Sequence, residues 1–249
     1  MATQDYKQKI IESLDVLRKR DQANKETFSA RAYTKVISQL KTYEGPITKF
    51  EDIKNVSGIG EKISKKIQEI IETGSLGAAE IAKELYNIEA LDIFQNIYGV
   101  GPAKATELVN AGYSTIADLR QAIKTNPKLL NDKQKIGLKY YEDLLERIPR
   151  EEMEEHRDIL HSLLPFELEN YETEIVGSYR RQALSSGDID VLIRIPPNTD
   201  AATAKKHFYL YVKMLEGFGY IEEILALGEH KCMAISRIYN GKARRLDLL

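Results

Sequence analysis

The chain has 249 residues, 43% hydrophobic and 30% charged, with 36 Lys+Arg against 38 Asp+Glu and a net charge of −2. That balance excludes a disordered or collagen-like chain, and the length allows one domain or two to three small ones. A single cysteine, Cys232, excludes an internal disulfide framework and a Cys-cluster zinc site. No apolar run approaches the ~20 residues of a membrane span, and residues 1–10 lack a signal-peptide core. A soluble, intracellular protein in a reducing compartment is expected, nuclear if the host is eukaryotic. With no basic surplus, any nucleic-acid surface has to come from the placement of Lys and Arg.

In chain order, residues 1–150 read as short helices. Tyr6, Ile10, Ile11, Leu14 and Leu17 recur at helical spacing, as do Phe28, Tyr33, Val36, Ile37 and Leu40. Gly45-Pro46 breaks the second of these. Past Pro149 the pattern changes. A helix is expected over 150–164, its acidic first turn suited to a helix N-terminus and its run 151–155 to a solvated face. β-branched content predicts strands over 174–176 and 188–195. A helix follows over about 201–216, with Phe208, Tyr209, Tyr211, Leu215 and Phe218 as core and helix-face residues. Strands over 231–239 and 242–249 flank Asn240-Gly241, the signal of a two-residue hairpin. His156, His161, His207 and His230 have no metal-ligand spacing and read as surface or hydrogen-bonded side chains. Cys232 reads as packing in a strand.

One internal similarity stands out. Val56-Ser57-Gly58-Ile59-Gly60-Glu61-Lys62-Ile63 resembles Ile97-Tyr98-Gly99-Val100-Gly101-Pro102-Ala103-Lys104. Each has a Gly-apolar-Gly turn that opens an amphipathic helix. Glycines let the backbone turn tightly and approach a ligand, and Pro102 suits a first helical turn. Amides at such a helix start attract phosphate oxygens, which reads backbone rather than bases. The alternative is two ordinary tight turns. The pair resembles helix-hairpin-helix motifs of DNA repair and replication proteins. That resemblance implies DNA-backbone contacts at Gly58, Gly60, Lys62, Gly99, Gly101 and Lys104. It also implies a monovalent cation, Na⁺ or K⁺, on the backbone of Lys54, Val56 and Ile59 and of Gln95, Ile97 and Val100.

The sharpest feature is the run from Gly177-Ser178-Tyr179-Arg180-Arg181-Gln182 to Ser185-Ser186-Gly187-Asp188-Ile189-Asp190. Along a strand, positions i and i+2 share a face roughly 6–7 Å apart, so Asp188 and Asp190 repel unless cations lie between them. Divalent ions with oxygen ligands meet that need, and Mg²⁺ accepts substrate phosphates as further ligands. Asp247, on a nearby strand-like segment, offers a third carboxylate. Three carboxylates around two ions would make a two-metal phosphoryl-transfer site. Ser178 adds a hydroxyl, Arg181 a forked cation, and Ser186-Gly187 turn amides, all suited to a polyphosphate.

With these motifs in place the chain resembles the family X DNA polymerases over most of its length. Gly58–Ile63 and Gly99–Pro102 resemble the family's two hairpins. Ile136-Gly137-Leu138-Lys139-Tyr140-Tyr141 and Arg147-Ile148-Pro149-Arg150-Glu151-Glu152 resemble its entry to the palm, and 177–190 with 244–247 its catalytic strands. The resemblance implies that Asp188 and Asp190 ligate two Mg²⁺ ions (Mn²⁺ as the alternative) and Asp247 the catalytic one. Asp247 would help activate a primer 3′-hydroxyl for attack on the α-phosphate, expelling pyrophosphate. Ser178, Arg181, Ser186, Gly187 and Arg147 match triphosphate-binding positions, and Arg245 matches an arginine that pairs with the aspartates. Lys66 matches the nucleophile of a 5′-deoxyribose-phosphate lyase, which forms a Schiff base and permits β-elimination. Lys62, Lys65 and Lys66 also read as a plain DNA-facing patch.

Some positions depart from the family. Ala30 stands where the lyase pocket has a tyrosine, Glu26 where it has a lysine, and Ser75-Leu76-Gly77-Ala78 replaces a basic run. Gln182 stands where the palm motif usually has glycine. The expected fold is α+β: a helical half with two helix-hairpin-helix motifs, then a nucleotidyltransferase palm with a mixed or antiparallel sheet. The expected domains are a lyase-like domain over 1–88, a helical DNA-binding subdomain over 89–148 and a palm over 149–249 that lacks the rest of the palm and the thumb, as in a fragment. The expected function is gap filling in base-excision-type repair by a monomer acting on gapped or nicked duplex DNA and deoxynucleoside triphosphates, without membrane. The alternatives are a non-catalytic or lyase-only binder of gapped DNA, and a template-independent nucleotidyltransferase.

Overall fold

A computed structural model describes residues 4–168 and 170–249, which fall into two compact units, up to Leu129 and from Leu130 on.

The first unit is helical: α1 (Lys7–Ala23), α2 (Thr27–Thr42), α3 (Glu61–Thr73), α4 (Gly77–Leu85), α5 (Ile88–Gln95), α6 (Pro102–Asn110) and α7 (Ile116–Thr125). α1 is central, packing on α2, α4, α5 and α6. Its Ile10, Leu14 and Leu17 are buried against Val36 and Leu40 of α2, as the helical spacing requires. Phe28 departs from that expectation: it lies in the first turn of α2 and is 89% exposed. Lys19 of α1 is buried between Asp15 and Asp92, at 2.6 and 2.5 Å, and so ties α1 to α5. Thr115 and Asp118 form a reciprocal cap at the start of α7.

The second unit begins with α8 (Asp132–Lys139) and α9 (Tyr141–Leu145), followed by β1 (Ile148–Pro149) and α10 (Arg150–Ser162). Then come β2 (Glu172–Ile175), α11 (Gly177–Arg180), β3 (Ser185–Ser186), β4 (Ile189–Arg194), α12 (Ala201–Gly217), β5 (Ile221–Leu227), β6 (Cys232–Ser236) and β7 (Arg244–Leu248). The main sheet has the order β2-β4-β7-β6-β5; β4 and β7 are parallel and the other neighbours antiparallel, so the sheet is mixed. β1 and β3 form a separate two-stranded pair. The fold is α+β, as the sequence indicates.

One core joins α10 and α12 to one face of this sheet. Met153, Leu160, Phe208, Tyr211, Val212 and Leu215 meet Ile175, Ile189, Val191, Cys232, Ala234, Leu246 and Leu248. Removing each of the Leu, Ile, Val, Met and Phe side chains from water stabilises the fold by about 1.5–3 kcal/mol. Because strand residues alternate, burying Ile189, Val191, Leu246 and Leu248 turns Asp190 and Asp247 to the opposite face.

Further departures from the sequence reading lie in this unit. The strands around Asn240 end at Ser236 and Arg244, so the connection is longer than two residues. Gly241 N–H bonds the Ile238 carbonyl and only Asn240 has a positive φ, 59°, giving a single left-handed residue instead of the two that a type I′ hairpin needs. β5 went unrecognised; Ile-Glu-Glu-Ile-Leu-Ala-Leu has little β-branching and is a strand through its pairing with β6. Phe218 caps α12 from outside and is 68% exposed. Glu152, assigned to a solvated face, instead grips the buried Arg244 through both carboxylate oxygens at 2.5 and 2.7 Å.

His156 of α10 is fully buried; its Nδ1 hydrogen-bonds with the Tyr220 hydroxyl at 2.7 Å and its Nε2 has no hydrogen-bond partner. Burial lowers its pKa to about 4, opposed in part by Glu152. Below the ordinary value near 6.5 the unfolded chain takes a proton that the folded chain refuses, so acidification favours unfolding. Between pH 7 and pH 5 this histidine should remove about 2 kcal/mol of unfolding free energy. Urea denaturation of wild type and His156→Asn at both pH values should show that extra loss in wild type alone.

Candidate active site

The three aspartates meet at neighbouring strand ends. Parallel pairing of β4 and β7 sets Asp190 directly beside Asp247. Burial raises the Asp190 pKa first, the charge of Asp247 raises it further, and Lys231 and Arg181 pull it down. Asp188, just ahead of β4, makes an ion pair with Arg245 of β7. Arg245 Nε stops 3.9 Å from Asp247 Oδ1, beyond hydrogen-bond reach, and both atoms are buried without a hydrogen-bond partner. The other Asp247 oxygen lies 3.4 Å from Lys231 Nζ. Asp190 rests against Gly177, where an added Cβ would collide with its Oδ2 and where φ is +64°. Glycine is required there on both counts.

The phosphate-binding candidates gather beside this cluster. Ser178 in α11 donates its hydroxyl to Ser186 Oγ at 2.9 Å. Ser186 is buried and pairs with Ile148 across β1 and β3. Arg147 precedes β1 and donates to Ser185 Oγ and to its carbonyl, at 2.7 and 2.6 Å. Its guanidinium lies 3.9 Å from where a Gly187 Cβ would be. Arg181 follows α11, close enough for its charge to act on Asp190.

Among the described residues no group of three or more His, Cys, Asp or Glu side chains is arranged to hold a metal ion. Each of the three carboxylates has its own neighbour: Arg245 engages Asp188, Gly177 lies against Asp190, and Lys231 faces Asp247. The donor set nonetheless fits a hard divalent cation. It is all oxygen, and Asp247 Oδ1 is a buried acceptor with nothing to accept.

In the first unit the two glycine turns share one geometry. Gly58 and Gly99 have φ of 97° and 81°. Gly60 and Gly101, the N-caps of α3 and α6, have φ/ψ of −90°/177° and −90°/176°. Val56 and Ile97 carbonyls each accept the amide three residues on, from Ile59 at 3.3 Å and Val100 at 3.0 Å. Neither glycine cap supplies a side-chain bond to the first helical amides, which suits contact with an anion. Lys66 lies on α3, its ammonium donating to the Lys62 carbonyl at 3.4 Å, while Lys65 pairs with Glu61 at 2.8 Å. Glu26 is the exposed N-cap of α2, and Ala30 is buried one turn on.

Three domain models match consecutive parts of the chain: a helix-hairpin-helix domain over residues 5–76, the fingers domain of DNA polymerase lambda over 92–145 and the DNA polymerase beta palm over 147–249. The chain belongs to family X of the DNA polymerases. Similar proteins include DNA polymerase lambda of Arabidopsis thaliana, 31% identical over 80% of this chain and 36% of that protein. DNA polymerase lambda of Rattus norvegicus is 28% identical over 98% of this chain and 42% of that protein. A type-X family DNA polymerase of Schizosaccharomyces pombe is 28% identical over 90% of this chain and 43% of that protein. The chain thus spans about two fifths of the length of these relatives. No helix among the described residues is long and apolar enough to cross a membrane.

The palm model of family X covers all three aspartates and the phosphate-binding candidates, and the other two models each cover one glycine turn. Sequence reasoning missed Lys231, a lysine in the β5–β6 turn with no motif to mark it. It did mark Gln182, where family X usually has glycine. Gln182 has φ +63°, a left-handed conformation that costs a non-glycine residue roughly 1 kcal/mol. Gln182→Gly should therefore raise unfolding free energy by about 1 kcal/mol, measured by chemical denaturation.

Proposed function

We propose that this protein is a DNA-directed DNA polymerase that fills short gaps during base-excision-type repair. The observation that carries the reading is the side-by-side placement of Asp190 and Asp247, with Asp188 next to them and the Ser178–Ser186 loop alongside. Asp188 and Asp190 would hold two Mg²⁺ or Mn²⁺ ions, with Asp247 on the catalytic one. When bound, those ions supply charge neutralisation at the phosphates and a lowered pKa for the attacking hydroxyl.

The chain's own residues do the rest. Ser178, Ser186 and the Gly187 amide hold the β- and γ-phosphates of the incoming nucleotide, and Arg181 and Arg147 balance their charge. Asp247 faces the primer 3′-hydroxyl and draws off its proton as the oxygen attacks the α-phosphorus; the bond from that phosphorus to the α–β bridging oxygen breaks and pyrophosphate leaves. Arg245 orients Asp188 through their ion pair. The glycine turns at 58–60 and 99–101 grip DNA backbone through helix-start amides with Lys62 and Lys104; the carbonyls of Lys54, Val56 and Ile59 and of Gln95, Ile97 and Val100 would hold a Na⁺ or K⁺ ion, which would supply positive charge towards a phosphate. In functional terms residues 1–88 take the 5′ side of a gap, 89–148 the duplex and 149–249 the nucleotide. Lys66 supplies a lyase amine to the 5′-deoxyribose phosphate.

On gapped DNA the protein should add nucleotides only with Mg²⁺ or Mn²⁺ and only opposite a templating base. Asp190→Ala should lower that addition at least 10³-fold while leaving DNA affinity within about twofold. Addition that ignores the template would favour the template-independent reading, and binding without addition the non-catalytic one. Lys62→Ala should weaken binding to all sequences alike and reduce the salt slope by about one. Borohydride should trap wild type on a 5′-deoxyribose-phosphate end and not Lys66→Ala.

A further inference from the structure

We propose that Lys231 is a built-in counter-ion for the Asp190–Asp247 pair, holding the site together before a divalent cation arrives and competing with that cation for it. The proposal rests on reading the aspartates as a metal seat.

β5 and β6 are joined by a tight turn in which Gly228 N–H bonds the Lys231 carbonyl at 2.8 Å, directly after the Leu227–Cys232 pair. The next residue of β6 but one, Met233, pairs with Asp247. The turn therefore delivers the Lys231 backbone to a fixed place at the end of β6, beside the β7 aspartate. Its ammonium reaches to 3.4 Å from Asp247 Oδ2.

Asp190 and Asp247 are neighbours of like sign, and Asp247 is 7% exposed with its other oxygen unpartnered. Arg245 is committed to Asp188 and stands too far from Asp247 to hydrogen-bond it. Lys231 approaches Asp247 more closely than Arg245 does, 3.4 Å against 3.9 Å, and its charge also acts on Asp190. A divalent ion on those two carboxylates would sit within a few ångströms of the ammonium and be repelled by it.

The Lys231 side chain is 47% exposed and its long stem can swing the ammonium into water. An arginine clamped by two hydrogen bonds would resist such displacement. A lysine at 3.4 Å gives way, so the site is stable when empty of metal and still loads.

The test uses the full chain and Mn²⁺ alone, with free Mn²⁺ read by electron paramagnetic resonance. Lys231→Met and Lys231→Gln should bind Mn²⁺ about threefold to tenfold more tightly than wild type. In EDTA both should melt at a lower temperature than wild type, and saturating Mn²⁺ should close that gap. Lys205→Met removes a lysine that pairs with Glu229 of the same turn and should leave Mn²⁺ affinity unchanged. Equal or weaker Mn²⁺ binding by both folded Lys231 variants, with binding lost in Asp190→Ala, would overturn the counter-ion proposal alone. Mn²⁺ binding by Asp190→Ala equal to that of wild type would overturn the metal reading and this proposal together.

Discussion

Two carboxylates held side by side organise this protein. Asp190 and Asp247 occupy facing positions on parallel neighbours β4 and β7, strands that run about 4.8 Å apart. Unscreened by a cation, two such charges repel by about 3 kcal/mol at an effective dielectric near 20. The sheet absorbs this because the opposite side of the same strands is buried: Ile189, Val191, Leu246 and Leu248 are fully covered by α10 and α12. Apolar burial on one face thus stabilises a polar arrangement on the other.

The surroundings follow from that constraint. Arg245 answers Asp188, Lys231 answers Asp247, and Gly177 gives Asp190 a surface with no side chain to displace it. Gly177 also starts the turn that carries Ser178 to Ser186. One glycine therefore serves both the carboxylate cluster and the loop proposed to bind a triphosphate. A separate network keeps the frame in register: buried Arg244 binds Glu152 of α10 and the carbonyls of Asp143 and Glu146. Successive arginines on β7 thus face opposite ways, Arg244 to the scaffold and Arg245 to the site.

Much of this was legible in the sequence because it is local. The glycine turns at 58–60 and 99–101, the Asp188/Asp190 spacing and the Gly-Ser loop depend on neighbours a few residues away. The helices at 150–162 and 201–217 announce themselves by periodicity. What could not be read depends on pairing across the chain. β5 has the composition of a helix and becomes a strand only against β6. The Asn240-Gly241 pair signals a turn, but which residues resume pairing is decided by Ser236 meeting Arg244. The neighbourhood of Asp190 and Asp247 needs the β4–β7 register, and Lys231 needs the β6–β7 register as well. Glu152 looked solvated because its partner Arg244 lies far along the chain.

The Asp190–Asp247 pair is proposed to seat a divalent ion that is shared with a triphosphate. Ca²⁺ can occupy such an oxygen site without supporting transfer, so it separates binding from turnover. Differential scanning fluorimetry with a deoxynucleoside triphosphate, with Ca²⁺, and with both together tests the coupling directly. The account predicts a rise in melting temperature with both that exceeds the sum of the separate rises, and no such excess in Asp247→Asn. Strictly additive shifts in wild type, or the same excess in Asp247→Asn, would contradict it.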